Sequence, residues 1–302
     1  MSKTKLRPNI CDYEGSNYRT EFWEGKGRDY EDQVERGVLR RWLPAQGRRL
    51  LEVGAGFGRL TDEYHGYQQV VLLDYSLSQL QYAQEHHGRD SRFVYVAADA
   101  YHLPFKAGVF DGATMIRVIH HMADVSAILA QMQRVLTQDG LFILEHANKR
   151  HLKAIARYAL KQQKWDPNTL DPVEFVELNF DFHPDYIVNA LQAAEFVIEE
   201  RLPVSYLRVN LLKERVPVKW LVAVDELLQR SRLLFSPSIF TRCRMVGSRP
   251  NHLEVSSIFA CPECGGDLIH ERVGDEETLY CPKEGLRWAI RDGIYDFKAV
   301  LE

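Results

Sequence analysis

A short segment rich in acid and glycine has the residue types of a cofactor-binding turn. Residues 48–58 read Arg-Arg-Leu-Leu-Glu-Val-Gly-Ala-Gly-Phe-Gly, so an apolar run carries Glu52 and ends in glycines that include Gly54 and Gly56. Glycine lets the backbone approach a ligand closely, and a following helix offers free N–H groups. A dinucleotide site would instead read Gly-x-Gly-x-x-Gly. The segment therefore predicts a nucleotide-type cofactor whose arm is cationic, because an acid lies beside the glycines.

Two further acids follow apolar runs in the same way. Val70-Val-Leu-Leu precedes Asp74, twenty positions after Gly54, and Arg92-Phe-Val-Tyr-Val-Ala-Ala precedes Asp99. In nucleotide-binding α/β folds an acid about 20 residues beyond the glycines binds the ribose hydroxyls, and ligands lie at the carboxyl ends of the strands. We therefore expect both acids beside the glycine turn, with Asp74 on the ribose.

A fourth run, residues 109–122, carries polar residues that have more than one interpretation. Asp111 stands at the start of a predicted buried strand and is interpreted as a structural acid that ties down backbone N–H groups. Arg117 must reach solvent, a carboxylate or a ligand, because an unpaired buried guanidinium is costly. Imidazole titrates near neutral pH, so His120 or His121 is a weak candidate for a general base. Packing against the next helix explains either histidine at least as well.

Taken in order, these segments resemble class I S-adenosylmethionine (SAM)-dependent methyltransferases, in the branch that contains the quinone and small-molecule enzymes. The similarity runs from Leu50 to Glu145 and includes Leu-Pro-Phe at 103–105 and Arg-Val-Leu-Thr-Gln-Asp-Gly at 134–140. The resemblance implies an α/β fold with a Rossmann-like sheet of seven strands and helices on both faces. It also implies methyl transfer from SAM to a small or lipophilic acceptor.

The resemblance further implies roles for single residues. Gly54 and Gly56 are expected under the methionine part of SAM, Asp74 on both ribose hydroxyls and Asp99 on the adenine amino group. Two more cofactor-binding candidates are Glu52, beside the aminoalkyl arm, and Arg117, on the SAM carboxylate or the acceptor. SAM is already an activated methyl donor, so the reaction needs a positioned nucleophile and a dry site, and no catalytic residue is assigned.

The C-terminal region has the spacing of a metal site. Cys261-Pro-Glu-Cys264 is followed by two glycines, and Cys281-Pro-Lys-Glu284 repeats the spacing with a glutamate in place of a fourth cysteine. Thiolates two residues apart are typical of zinc knuckles. Three alternatives stay open: Glu284 supplies an oxygen ligand, His270 substitutes for it, or the site is empty.

This tail, through Arg-Asp-Gly-Ile at 291–294, resembles the small zinc-ribbon activator proteins that partner tRNA, rRNA and release-factor methyltransferases. The resemblance implies a zinc-ribbon-like β domain that is stabilised by a metal or by a partner surface. It also supports an alternative function, methylation of RNA or of a translation protein.

Composition sets the limits of these expectations. The chain has 302 residues, of which 45% are hydrophobic, and a net charge of −4, which disfavours a broad nucleic-acid-binding surface. The N-terminus lacks the apolar core of a signal peptide, and no apolar stretch is long enough to span a membrane. Five cysteines do not suggest a secreted disulfide framework. We therefore expect a cytoplasmic protein.

The predicted domains are a helical cap (1–46), a methyltransferase domain (47–247) and the ribbon (256–302). Insertions at 146–182 and 207–237 are expected to form the acceptor pocket, because specificity within shared folds lies in added loops. Their aromatic and leucine content suits a bulky or lipophilic acceptor, although the same residues could instead bury the insertions against the sheet.

The periodicity in and around the insertions predicts three helices and two strands. A basic helical stretch is predicted over 146–163, and further helices over 184–194 and 217–228. A sixth strand is predicted to begin at Phe196, and a seventh to span 238–246.

Overall fold

A computed structural model describes residues 10–16, 19–23 and 27–301 of the chain. Parts of the predicted N-terminal cap, residues 1–9, 17–18 and 24–26, lie outside the described residues. The helices are α1 (Asp29–Trp42), α2 (Leu77–His87), α3 (Val125–Val135), α4 (Leu152–Ala159), α5 (Pro184–Ala193), α6 (Asn210–Arg215) and α7 (Val218–Gln229).

Two sheets are built from thirteen strands in the described residues. The strands are β1 (Gly47–Val53), β2 (Tyr67–Asp74), β3 (Phe93–Ala97), β4 (Phe110–Met115), β5 (Leu136–Ala147), β6 (Val173–Val176), β7 (Asn179–Asp181), β8 (Phe196–Val204), β9 (Ser238–Met245), β10 (Ile269–Val273), β11 (Glu276–Cys281), β12 (Leu286–Arg291) and β13 (Ile294–Asp296). Strands β6 and β7 form a separate hairpin, and the other eleven strands form one sheet.

Seven of these strands form the predicted methyltransferase sheet, in the order β3-β2-β1-β4-β5-β9-β8. The first five are parallel, while β9 runs antiparallel to both β5 and β8. Alternate residues of β1 face opposite sides, as the two-residue period of a strand requires. Leu51 packs with α3 and α5, whereas Leu50 packs with α1, α2 and α7. Helices therefore cover both faces, and the predicted fold class is confirmed.

The ribbon strands continue this sheet. Strands β10 to β13 form an antiparallel meander, and β13 pairs in parallel with β3 through Ile294–Tyr95 and Asp296–Ala97. Strand β3 would otherwise be an edge strand with unpaired backbone groups. A second contact follows from the stacking of Phe259 on Phe105, whose ring centroids are 5.9 Å apart. The ribbon is thus part of the same sheet as the methyltransferase fold.

The first insertion differs from its prediction. The basic helix expected over 146–163 is wrong at both ends, because α4 spans only Leu152–Ala159. His146 and Ala147 instead pair with β9 as the end of β5, and Lys161 has a φ of 56° that turns the chain away. The other predicted helices and strands are found within one or two residues of their expected bounds.

Among the helices of the described residues, none is long and apolar enough to cross a membrane. The cytoplasmic location stays a prediction.

Candidate functional site

The glycine turn opens onto a cavity at the carboxyl ends of β1, β2 and β4. Gly54 and Gly56 have φ values of +70° and +53°, in the left-handed region that favours glycine. A Cβ on Gly54 would lie 2.2 Å from Val118, while a Cβ on Gly56 would meet nothing within 4 Å. The missing Cβ of Gly54 therefore permits Val118 to pack closely against the turn. The position that a Cβ of Gly56 would occupy faces open space.

Asp74 and Asp99 lie in the wall of the same cavity as the glycines. The Asp74 carboxylate accepts the N–H of Gly56 at 2.7 Å and that of Ser76 at 2.9 Å, and burial raises its pKa. Asp99 accepts the N–H of Tyr101 at 2.8 Å. A carboxylate offers about four lone-pair sites, so each acid retains acceptor capacity for a ligand.

Residues of the N-terminal segment form another part of this wall. Ile10, Cys11 and Tyr13 line the cavity, whose volume is about 100 Å³. The N-terminal segment therefore covers part of the space in front of the glycine turn.

Glu52 has a different position from the other predicted cofactor residues, because it is not among the described residues that line the cavity. Its buried carboxylate accepts the hydroxyls of Thr61 at 3.1 Å and Tyr64 at 3.0 Å. Burial raises the pKa of Glu52 to about 7, and the two hydroxyls partly offset this increase. Glu52 therefore binds Thr61 and Tyr64 outside the lining of the cavity. Its contact with the aminoalkyl arm of the cofactor stays a prediction.

Arg117 reaches both a carboxylate and the cavity wall. Its backbone has a φ of 60°, its N–H donates to Glu145 at 2.9 Å, and its guanidinium lies 2.5 Å from Glu35. Burial raises the pKa of Glu35, but the charges of Arg117 and Arg59 outweigh burial and bring that pKa to about 2. Sequence reasoning missed Glu35, although an acid on the apolar face of a predicted helix was a signal for a buried partner.

The two histidines lie beside the cavity in a short 3₁₀ turn. The Nδ1 of His121 lies 2.9 Å from the Leu178 carbonyl, so this nitrogen donates and carries the proton. Its Nε2 lies 3.3 Å from the Tyr13 hydroxyl, which then donates to it. Burial holds the pKa of His120 well below its usual range, and the nearby His121 lowers it further. Both rings are therefore neutral at neutral pH.

A second cavity, which we call the acceptor cavity, lies next to the first and measures about 320 Å³. Tyr13, Arg117 and His121 line both cavities, so the two spaces meet at these side chains. The two predicted insertions supply much of the remaining wall, through His151, Phe175, Asn179, Asp181 and Arg208. The sequence carried no motif that could have identified these last residues.

Asp111 has the structural role expected from the sequence. Its two carboxylate oxygens accept the N–H groups of Arg48 and Arg49, each at 2.7 Å. Asp111 therefore joins the start of β4 to the neighbouring β1 strand.

The three ribbon cysteines converge, as predicted. The sulfur atoms of Cys261, Cys264 and Cys281 all lie within 4.8 Å of one another. Both knuckles close in the same way, because Gly265 and Gly285 donate to the carbonyls of Cys261 and Cys281 at 2.8 and 2.9 Å. Three thiolates at this spacing suit a tetrahedral zinc ion.

Among the described residues, this cluster contains three sulfur atoms and no fourth ligand atom. Glu284 and His270 are exposed, and neither contributes a ligand atom to the group within 4.8 Å. His270 instead faces Glu277 at 3.9 Å on the neighbouring strand. The role of Glu284 as an oxygen ligand stays a prediction.

Two family models match separate parts of the chain. Residues 51–144 match the model described as a methyltransferase domain, and residues 252–293 match the model described as Trm112p-like protein.

The fold is shared with solved structures, of which two are described here. One is the complex between the Haloferax volcanii Trm112 methyltransferase activator and a candidate methyltransferase, at 15% identity and a TM-score of 0.54 over 79% of this chain and all of that chain. The other is a candidate SAM-dependent methyltransferase of Listeria monocytogenes, at 14% identity and a TM-score of 0.51 over 72% of this chain and 99% of that chain.

Curated relatives match part of the chain. The O-methyltransferase cnsE of Penicillium expansum is 30% identical over 165 residues, or 50% of this chain and 60% of the relative. The malonyl-[acyl-carrier protein] O-methyltransferase of Geobacter sulfurreducens is 33% identical over 119 residues, or 37% of this chain and 44% of the relative. The chain thus spans less than two thirds of these relatives. Both resemblances expected from the sequence are confirmed: the chain carries a methyltransferase domain, matched in residues 51–144, and a Trm112p-like domain, matched in residues 252–293.

Proposed function

We propose that the protein transfers a methyl group from SAM to a small molecule held in the acceptor cavity. The observation that carries this proposal is the contact between the two cavities at Tyr13, Arg117 and His121. One cavity has the glycine turn and the two acids expected for SAM, and the other is lined by the insertions. An acceptor in the second space therefore lies next to the expected cofactor.

The residues around the first cavity fit SAM chemically. SAM, when bound, supplies a methyl group already activated by a sulfonium sulfur. Asp74 retains acceptor sites for the ribose hydroxyls, Asp99 for the adenine amino group, and the missing Cβ of Gly56 leaves space for the ligand. The other residues need only hold the acceptor in line and exclude water.

The relatives support a small-molecule acceptor. Several carry names of small-molecule or quinone methyltransferases, including 27-O-demethylrifamycin SV methyltransferase of Amycolatopsis mediterranei and demethylmenaquinone methyltransferase of Thermobifida fusca. The names of other relatives include an O-methyltransferase and a C-methyltransferase. The relatives therefore support the class of acceptor and leave the accepting atom open.

The Trm112p-like segment supports a second candidate function, methylation of RNA or of a translation protein. Basic residues between positions 149 and 164 would favour RNA binding, but the structure shows that not all of them carry charge to the surface. Lys149 is buried, and its ammonium donates to the carbonyls of Thr169 and Asp171 at 3.0 and 2.6 Å. It therefore adds no charge to the surface, while Lys153, Arg157, Lys161 and Lys164 remain exposed.

A methyl-transfer assay separates the two functions. The full-length protein is incubated with SAM labelled on its methyl group and with three fractions of a cell extract: small molecules, RNA and protein. We expect label in the small-molecule fraction only. Label confined to RNA or protein would favour the second function, and no transfer to any fraction would contradict both.

A further inference from the structure

Asp181 has a carboxylate in the acceptor cavity whose oxygens are not occupied by protein contacts. It ends β7, and both Asn179 and Asp181 line the cavity, whereas Phe180 between them packs against the core. Successive side chains of a strand point to opposite faces, so this alternation directs Asp181 into the cavity. Among the described residues, none forms a hydrogen bond or an ion pair with the carboxylate. Its oxygens are therefore available to a ligand.

Strand β7 is attached to the place where the two cavities meet. Directly before the strand, the carbonyl of Leu178 accepts the Nδ1–H of His121 at 2.9 Å, and His121 lines both cavities. Directly after the strand, the backbone N–H of Phe182 donates to the carbonyl of Ala147, at the end of β5, at 3.1 Å. These two contacts hold Asp181 near the strand ends, on the acceptor side of the expected cofactor.

The other acid of this wall and its histidines are less suited to accept a proton. Glu145 is 2% exposed and already accepts a backbone N–H at 2.9 Å. The Nδ1 of His151 accepts the N–H of Ala154 at 3.4 Å, so its Nε2 carries the proton and can only donate. Burial holds the pKa of His120 well below its usual range, and both ring nitrogens of His121 have partners.

The surroundings of Asp181 set its basicity. Burial raises the pKa of Asp181 to about 6, and the nearby charge of Arg208 partly offsets this increase. The other charged groups in the described wall are Arg28, Arg117 and Glu145. A general base works best when its pKa lies near the operating pH. Asp181 is therefore mostly ionised at neutral pH and is a stronger base than an ordinary aspartate.

We propose that Asp181 is the general base that removes the proton from a hydroxyl group of the acceptor. This inference rests on the proposed function and names the reacting group of the acceptor. Positioning alone suffices for an acceptor that is already deprotonated, whereas a hydroxyl must also lose its proton.

The proton and the electrons of this step balance. The hydroxyl oxygen forms a bond to the methyl carbon while the bond from that carbon to sulfur breaks, and the electron pair of the broken bond stays on sulfur in S-adenosylhomocysteine. The hydroxyl proton passes to the Asp181 carboxylate. It then leaves to water, because the side chain is only half-buried.

The pH dependence of methyl transfer tests this assignment. Full-length protein is incubated between pH 5 and 8 with saturating methyl-labelled SAM and the small-molecule fraction of a cell extract, diluted until the rate is proportional to its concentration. We expect the rate at pH 5 to be about tenfold below its plateau, because protonated Asp181 cannot accept a proton. A rate that is independent of pH between 5 and 7 would overturn the inference and leave the methyltransferase proposal intact. No transfer at any pH would contradict both.

Substitution of Asp181 tests the residue itself. Asp181→Asn keeps the shape of the side chain and removes the base, so we expect transfer at neutral pH to fall by about 10²- to 10⁴-fold. The decrease of the rate below pH 6 should also disappear, and effects of pH common to both proteins cancel in their ratio. The affinity for S-adenosylhomocysteine should stay the same, which shows that the variant folds. A loss of less than ~100-fold, or an unchanged decrease below pH 6, would overturn the assignment.

Two further variants separate a base from a structural acid. Asp181→Glu keeps a carboxylate on a longer side chain, so we expect a smaller loss and a decrease of the rate at low pH, and the absence of that decrease would count against the inference. The matched control is Glu177→Gln, because Glu177 is an exposed acid in the turn of the same hairpin and lines neither cavity. Transfer should be unchanged in this control.

NMR spectroscopy gives a readout that does not depend on the acceptor. In protein labelled with ¹³C at the aspartate side-chain carboxyl, we expect one resonance that titrates near pH 6 in the wild type and is missing from Asp181→Asn. The same spectrum in both proteins would overturn the assignment of Asp181 as the base.

Discussion

At the scale of single residues, His121 lines both cavities and His120 lines the acceptor cavity, yet neither ring is arranged as a strong base. The two ring nitrogens of His121 contact Leu178 and Tyr13, and burial lowers the pKa of His120 well below its usual range. We expect His120→Ala and His121→Ala to lower the rate of methyl transfer by less than ~100-fold, because strong general-base catalysis contributes about 10²- to 10⁴-fold.

The rate is measured at saturating SAM with the fraction of the cell extract that accepts the methyl group. The affinity for S-adenosylhomocysteine serves as the control for folding. A loss of about 10³-fold or more in either variant, with unchanged affinity, would identify that histidine as a base.

The sequence predicted those residues that belong to ordered motifs. Asp74 and Asp99 each end an apolar run, and the structure places both in one cavity with Gly54 and Gly56. Arg208 belongs to no motif and reaches the acceptor cavity only because the second insertion folds over the strand ends. Spacing along the chain could not predict that contact, because it depends on tertiary packing.

At the scale of elements, Phe259 connects the ribbon to the methyltransferase fold. It packs on Phe105 at 5.9 Å and on Tyr295 at 4.3 Å between ring centroids, and it is only 6% exposed. We expect Phe259→Ala to lower the free energy of unfolding of the whole chain by about 3–5 kcal/mol, because truncating a buried phenylalanine leaves a cavity. Urea denaturation followed by circular dichroism measures this change as a shift of one transition.

The control for Phe259 is Val273→Ala on the outermost strand, where the side chain is 51% exposed and little change is expected. Two separate transitions, with only a ribbon transition shifted by Phe259→Ala, would show that the continuous sheet does not unfold as one unit.

The cysteine cluster predicts a bound metal. Three sulfurs within 4.8 Å of one another match the donors of a zinc site, although the fourth ligand is open. We expect elemental analysis of the full-length protein, purified without chelators, to give about one zinc per chain. Cys281→Ser should lower this content strongly, and Cys243→Ser, which lies outside the cluster in β9, should not. Absence of zinc in the wild type would contradict the metal assignment.

Element boundaries were predictable where local signals agree. Helix α5 begins at Pro184, with His183 as its cap, close to the prediction. His146 and Ala147 were wrongly assigned to a helix because their pairing with β9 involves residues about ninety positions away. The parallel pairing of β13 with β3 was likewise invisible, since no local pattern encodes it.

At the scale of the whole molecule, buried neutral histidines make stability depend on pH. Burial lowers the pKa of His146 from 6.5 to about 4, so the unfolded chain binds its proton at a higher pH than the folded one. Stability is therefore lost as pH falls from 6.5 toward 4, by up to about 3 kcal/mol for this residue, at 1.36 kcal/mol per pKa unit.

The pH dependence is measured by urea denaturation between pH 4 and 7 for the wild type and His146→Gln. Glu52, with its pKa raised to about 7, acts in the opposite direction in this window, but it is common to both proteins and cancels in their difference. We expect a shallower loss of stability in the variant on acidification. Parallel curves would contradict the buried neutral state of His146.

The measurement that tests the central claim most directly is calorimetric titration of the full-length protein with S-adenosylhomocysteine, the demethylated product of SAM. We expect one site per chain in the wild type and in Asp62→Ala, whose exposed acid lies outside the cavity. Asp74→Ala should weaken binding by at least roughly 10-fold, because each lost charge-assisted bond to the ribose contributes about 1.5–3 kcal/mol. Equal affinity in Asp74→Ala and the wild type, or no binding to either, would contradict the account.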